Sequence, residues 1–225
     1  MLNLNKQKIL VIAAHPDDEI LGCGGTLIKL KSLKCEIEII FMTNGVSSRN
    51  LKNPNKKILE RKKSTKNVAK FIGIKKIHFL NLPDNKLDSV PLLNIIKKIK
   101  KLIKDYKPNH IFTHSEFDLN IDHRITYNAV LTSTRPEDID IKSLICFEIP
   151  SSTDYSFNYK FRPNLFIDIQ DFYNKKLTCL KFYNQELRPF PHPRSYENIK
   201  NLSQIRGSSV GHKISEAFEI KKLII

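Results

Sequence analysis

Two short stretches of the chain concentrate side chains that can hold a metal and move a proton. The first is His15-Pro16-Asp17-Asp18-Glu19, and the second runs from His114 through Asp118-Leu119-Asn120-Ile121-Asp122-His123. One imidazole from each of two separate loops, joined by one carboxylate, makes the two-histidine, one-carboxylate set of hydrolytic zinc sites, which keep a coordination position for water. Fe2+ is the alternative ion for such ligands. Successive side chains diverge, so of two adjacent acids one can ligate while the other stays free as a base beside the bound water. Taken alone, His15-Pro16 reads as a strand-end turn, with Asp17 or Asp18 as a helix N-cap.

The elements that must position these residues alternate along the chain. Lys8 to Ala14 is a continuous apolar run of the kind that forms a parallel strand buried on both faces. After the acidic stretch, Leu27, Leu30 and Leu33 recur at helical spacing behind the small residues Gly22-Cys23-Gly24-Gly25. A strand from Glu36 to Met42, a helix from Asn55 to Phe71 closed by Gly73, and a strand from Lys76 to Leu80 follow. Next come a Lys-rich amphipathic helix over 91–106, a strand over 110–114 and a helix over 121–134. Beyond these the pattern is less regular: strands near 144–149 and 165–169, and a helix over 171–184. This alternation predicts an α/β fold, Rossmann-like and doubly wound, with a mostly parallel sheet and helices on both faces. In such sheets ligands bind beyond the C-terminal ends of the strands, where both acidic-histidine stretches fall.

Bulk properties bound the remaining choices. A chain of 225 residues fits one α/β domain spanning 1–225, with a core large enough to need no disulfides. No apolar run approaches the ~18–20 residues that cross a bilayer. The start, Met1-Leu2-Asn3-Leu4-Asn5-Lys6-Gln7-Lys8, passes into the first strand without a leader pattern, which points to the cytoplasm. The four cysteines are scattered and read as reduced. A net charge of +15 would suit a polyanionic partner, but the lysines are spread through nearly every segment, so no nucleic acid partner is expected.

Ala14-His15-Pro16-Asp17-Asp18-Glu19 resembles the N-terminal signature of the LmbE/PIG-L family of N-acetylglucosaminyl de-N-acetylases. Asp118-Leu119-Asn120-Ile121-Asp122-His123-Arg124 is similar to that family's second metal segment, and a weak likeness extends to Ser215-Glu216-Ala217-Phe218. The resemblance implies a Zn2+-dependent hydrolase in which His15, Asp18 and His123 ligate the metal and Asp17 is the free base. Many family members carry a further histidine where this chain has Asn120. Asn can donate a hydrogen bond to a developing oxyanion but cannot supply a proton, which leaves Asp17 as both base and acid, or brings in His114 or His192 from a loop. The implied substrate is an N-acylated amino sugar, free or linked to a nucleotide or lipid, and a homo-oligomer is one expected assembly.

By the same resemblance Arg61 and Asp84 contact sugar hydroxyls. The segment Phe190-Pro191-His192-Pro193-Arg194-Ser195 looks like that of a bacterial branch associated with surface polysaccharides. There, Arg135, His192 and Arg194 could bind a phosphate or carboxylate on the substrate. Two rival readings exist. A nucleotide-binding Rossmann-like protein is prompted by Gly22-x-Gly24-Gly25, but His-Pro-Asp-Asp occupies the place where a phosphate would sit and would repel it. A non-catalytic sugar-binding protein is prompted by Asn120, but a purely structural zinc has no use for a free base. A serine hydrolase lacks its Gly-x-Ser-x-Gly elbow.

Overall fold

Strand β1 (Lys8–Ala13) sets the plan of the molecule. Its side chains alternate between two apolar layers: Ile9, Val11 and Ala13 join one cluster, and Leu10 and Ile12 join the other. A strand buried on both faces needs a helical layer on each, and the chain supplies them. Helices α1 (Asp18–Ser32), α2 (Pro54–Ile72) and α5 (Tyr173–Phe182) contribute to the first cluster. Helices α3 (Leu92–Tyr106) and α4 (Ile121–Ser133) contribute to the second. In α3, Ile95, Ile99, Ile103 and Tyr106 fall on one face at four- and three-residue spacing, while the lysines turn outward. The computed structural model describes residues 4–49, 52–136 and 139–224. Residues 1–3, part of the N-terminal reading above, lie outside them, as do the ends of the 1–225 span.

The remaining strands are β2 (Glu36–Phe41), β3 (Lys76–Phe79), β4 (His110–His114), β5 (Ser143–Phe147), β6 (Leu165–Asp168) and β7 (Ser215–Leu223). They form one sheet in the order β3-β2-β1-β4-β5-β7-β6. The first five strands are parallel, whereas β7 runs antiparallel to both β5 and β6. The chain winds outward from β1 to β3, then returns to place β4 on the other side of β1. That reversal opens a crevice between the C-terminal ends of β1 and β4, where α/β sheets bind ligands.

The expected doubly wound α/β sheet is therefore present, with an antiparallel addition. Helix α6 (Tyr196–Ser208) and strand β7 are absent from the sequence expectations. In β7 the period-two signal is only partial, Phe218 and Ile220 alternating with Glu219 and Lys221, with buried Ala217 ahead of them. The strand also carries the acidic residue that holds α1 in place. Helix α1 is kinked at Cys23, whose φ of −146° breaks the helical path. The kink leaves backbone N–H groups without helical acceptors. The buried Glu216 carboxylate accepts from Gly25 N at 2.9 Å and Thr26 N at 2.7 Å, and pairs with Lys176 Nζ at 2.7 Å.

The glycines beside this kink serve packing. A Cβ on Gly22 would lie 2.5 Å from Phe147 Cδ2, and one on Gly25 would lie 2.6 Å from Ile169 Cδ1. The anion at this freed helix start is thus Glu216 itself, which removes the phosphate-binding reading of the glycine run. Replacing Glu216 by Ala would strand a buried ammonium and two N–H groups. The expected cost is about 3–5 kcal/mol of unfolding free energy, read from denaturant titration. An unchanged midpoint for Glu216→Ala would show that the carboxylate does not hold α1.

Candidate metal centre

The loop after β1 carries His15 and Asp17, Asp18 opens α1, and α4, separated from β4 by six residues, carries His123 in its first turn. The two imidazoles meet across the crevice, with His15 Nδ1 and His123 Nε2 3.2 Å apart. Asp18 Oδ2 lies 3.2 Å from the first and 3.4 Å from the second. The three ligand atoms lie within 4.8 Å of one another, and His15, Asp18 and His123 are all buried.

Each imidazole is held from behind by carboxylates. His15 Nε2 lies 3.2 Å from Asp122 Oδ2 and 3.5 Å from Asp84 Oδ1. Asp122 is itself fixed by the backbone N–H groups of Asn85 and Leu87, at 2.7 and 3.0 Å. His123 Nδ1 lies 3.0 Å from Asp118 Oδ2, and Asp118 also accepts from Ser152 Oγ, from Thr153 Oγ1 at 2.8 Å and from Asn120 N at 2.9 Å. Outer carboxylates of this kind fix a ring's tautomer and aim its other nitrogen at an ion. Gly45, at φ +70°, closes the back of His15, because a Cβ there would lie 3.1 Å from His15 Cβ.

The electrostatics favour positive charge at the centre. Burial opposes charge on His15, but the carboxylates of Asp122 and Asp18 outweigh it and raise its pKa to about 10. Burial likewise opposes charge on His123, and Asp118 and Asp18 raise its pKa to about 9. Asp118, despite burial, is lowered to about 2, chiefly by His123. Four carboxylates, those of Asp18, Asp84, Asp118 and Asp122, crowd two imidazoles, and Asp18 Oδ1 is buried with no hydrogen-bond partner. A divalent cation would satisfy that orphaned oxygen and offset the surplus negative charge, so the residues present fit a metal.

Asp17 stands apart from this cluster. Its backbone takes φ 126°, an uncommon conformation for a residue with a side chain, which turns its carboxylate away from Asp18. Oδ2 of Asp17 lies 3.3 Å from Arg61 Nη1 and 3.1 Å from Arg194 Nη1. Burial raises the carboxyl of Asp17, and Arg194 and Arg61 oppose that rise. The backbone N–H of Asp17 donates to Glu19 Oε2 at 2.9 Å, and the buried Glu19 carboxyl, pushed up to about 8 by burial, accepts from Tyr183 Oη at 2.8 Å.

Several residues expected at the substrate sit elsewhere. Arg61 is buried, where it binds the Pro16 carbonyl and pairs with Asp17 and Glu186. Asp84 is buried behind His15, its oxygens accepting from Thr43 Oγ1 at 3.0 Å and from Ser48 N and Oγ at 2.9 and 2.7 Å. Arg135 is exposed just beyond the far end of α4, about 15 Å or more along the helix axis from His123. Asn120 is the N-cap of α4: its Oδ1 accepts from Asp122 N at 2.8 Å and His123 N at 3.4 Å, and its Nδ2 donates to Asn85. His114 is buried behind the site, stacked on His123 at 3.9 Å, with Nε2 accepting from Ala14 N, so it offers no route to a substrate. His192 Nδ1 accepts from Arg194 N at 3.0 Å and thereby shapes the loop that brings Arg194 to Asp17.

The supporting carboxylates Asp118 and Asp122 lie inside the second motif, yet their roles depend on partners far along the chain. Replacing Asp118 by Asn removes the charged hold on His123 and should weaken binding of a divalent metal ion roughly 10–100-fold, measured by chelator competition. Unaltered affinity in a folded Asp118→Asn protein would deny Asp118 that role.

Residues 10–134 match the family model described as PIG-L, GlcNAc-PI de-N-acetylase. A protein of Escherichia coli strain K12 described as the uncharacterized deacetylase YaiS is 29% identical over 184 residues, covering 79% of this chain and 91% of its own. The diacetylchitobiose deacetylase of Thermococcus kodakarensis is 26% identical over 226 residues, covering 93% of this chain and 81% of its own. The N,N'-diacetylchitobiose deacetylase structure from Pyrococcus horikoshii superposes with a TM-score of 0.80 at 23% identity, covering 95% of this chain and 83% of that one. That likeness concerns the fold. Since the family model spans more than half of the sequence and includes both ends of the crevice, the chain belongs to the PIG-L family of de-N-acetylases.

Proposed function

We propose that the chain is a zinc-dependent N-deacetylase that removes the acetyl group from an amino sugar or sugar conjugate, with His15, Asp18 and His123 as metal ligands and Asp17 as the general base. The observation that carries this reading is the separation of the two adjacent acids, Asp18 inside the imidazole cluster and Asp17 beside it with two arginines. When bound, the ion would polarise the amide carbonyl and lower the pKa of water to about 7. Residues 1–225 work as one deacetylase unit in this reading, and the four buried, unpaired cysteines suit a reducing cytoplasm.

Asp17 accepts the proton of the attacking water at its carboxylate and then delivers it to the departing sugar nitrogen, so one residue serves as base and acid. Arg61, locked to Pro16 and Glu186, orients that carboxylate from below. Arg194 approaches it from the half-buried loop side. In this position the guanidinium can shift from Asp17 to a substrate oxygen as the charge on Asp17 is neutralised. Asn120 contributes by capping α4 and so aiming His123, a positioning task in place of the oxyanion contact expected from sequence. A non-catalytic sugar-binding role leaves the strained, charged environment of Asp17 without a purpose.

The Asp17→Asn variant tests the base. Zinc content should persist, while acetate release from N-acetylglucosamine or its short oligosaccharides falls by roughly 10²–10⁴, the usual contribution of a positioned base. Retention of full turnover would remove Asp17 from the chemistry.

A further inference from the structure

The backbone of Asp17 is held where a residue with a side chain rarely rests. At φ 126° and ψ −29° it lies in a region that favours glycine, and such a conformation persists only where the surroundings over-determine it. Two sets of bonds supply that constraint. On the carbonyl side, Asp17 O accepts from Ile20 N at 3.0 Å and Leu21 N at 2.9 Å as α1 begins. On the amide side, Asp17 N donates to Glu19 Oε2 at 2.9 Å.

Glu19 is buried, and its other oxygen is fixed from 164 positions away. Tyr183, the first residue after α5, donates from Oη to Glu19 Oε1 at 2.8 Å and is buried as well. The same Oη lies 3.2 Å from Thr65 Oγ1, and Thr65 donates to the Arg61 carbonyl at 3.0 Å. The Tyr183 ring lies under Arg61, with the guanidinium carbon 5.9 Å from its centroid. Arg61 in turn meets the Asp17 carboxylate. The chain of contacts therefore closes on itself and grips Asp17 twice, at its amide through Glu19 and at its carboxylate through Arg61. Asp18 has a separate anchor, since its Oδ2 accepts from His15 N at 2.8 Å.

We infer that Tyr183, acting through Glu19, is a positioning residue for Asp17, pinning the Asp17 amide so that its carboxylate stays turned out of the ligand cluster. The inference rests on the reading of Asp17 as the general base. A glutamate in the first turn of a helix also stabilises that helix end in general. That role alone would loosen Asp18 together with Asp17 and weaken metal binding in step with turnover, whereas the brace acts on Asp17. The brace works by shape and hydrogen bonding. Glutamine at position 19 can accept from Asp17 N and donate to Tyr183 Oη, whose own proton then turns to Thr65.

Kinetics of acetate release and chelator competition on Tyr183→Phe, which keeps the ring over Arg61, test the brace. The variant should lose roughly tenfold in kcat, with KM and metal affinity within about twofold, because misplacing the base affects the transition state more than substrate binding. Glu19→Gln should stay within about twofold of the parent. In an Asp17→Asn background, adding Tyr183→Phe should change residual turnover by less than about twofold, since a residue acting through Asp17 has nothing left to act on. An unaltered kcat, a loss of equal size in that background, a loss in Glu19→Gln as large as in Tyr183→Phe, or metal affinity falling in step with kcat each overturns the brace. The crystal structure of Tyr183→Phe supplies a readout that needs no turnover: the Asp17 carboxylate should part from Arg61 and Arg194, and an unmoved Asp17 overturns the inference. Absence of acetate release from the parent enzyme counts against the deacetylase reading, and that structural readout then decides the brace.

Discussion

The structure depends on packing more buried negative charge into one crevice than two imidazoles can balance. Asp18, Asp84, Asp118 and Asp122 surround His15 and His123, and each carboxylate is fixed by backbone N–H groups, hydroxyls or the rings themselves. Such a cluster is expensive in a low-dielectric interior unless a cation completes it. The fold meets that requirement by topology. The strand order reverses at β1 and β4, so two loops about 100 residues apart in sequence open side by side. The centre is therefore a consequence of winding direction before it is a matter of individual side chains.

Around this centre the fold treats two adjacent acids differently. Asp18 is drawn well below the usual carboxylate range by His123 and His15 in spite of burial. Asp17, one residue earlier, is turned by its backbone toward Arg61 and Arg194. Neighbouring acids on one loop thus occupy different electrostatic environments, which is how a pair of like groups acquires two tasks. The arginines are in turn anchored by Glu186, a buried residue of the irregular segment after α5, which also pairs with Arg49.

Much of this was legible in sequence. The unbroken run Ile9-Leu10-Val11-Ile12 fixes a doubly buried strand, and His15, Asp18 and His123 follow β1 and β4, whose C-terminal ends a doubly wound sheet must bring to one edge. The parts that were not legible share a physical cause, which is contact between distant segments. Arg194 meets Asp17 across 177 positions, and Glu216 caps the α1 kink across 190 or more. No local pattern announces either contact. Arg61 and Asp84 show the converse: polar residues near a site read as substrate contacts, yet burial turned them inward as supports. Asn120, read as a proton-poor substitute for a catalytic histidine, fills the helix-capping role that Asn favours at such a position. No helix among the described residues is long and apolar enough to cross a membrane, in line with the hydropathy of the chain.

The account is tested most directly by an anomalous difference map, collected at the zinc absorption edge, from crystals of the zinc-loaded protein. It predicts a single strong peak about 2.0–2.2 Å from His15 Nδ1, an Asp18 carboxylate oxygen and His123 Nε2. A peak ligated by other residues, or a folded protein that takes up no zinc at this crevice, would contradict it.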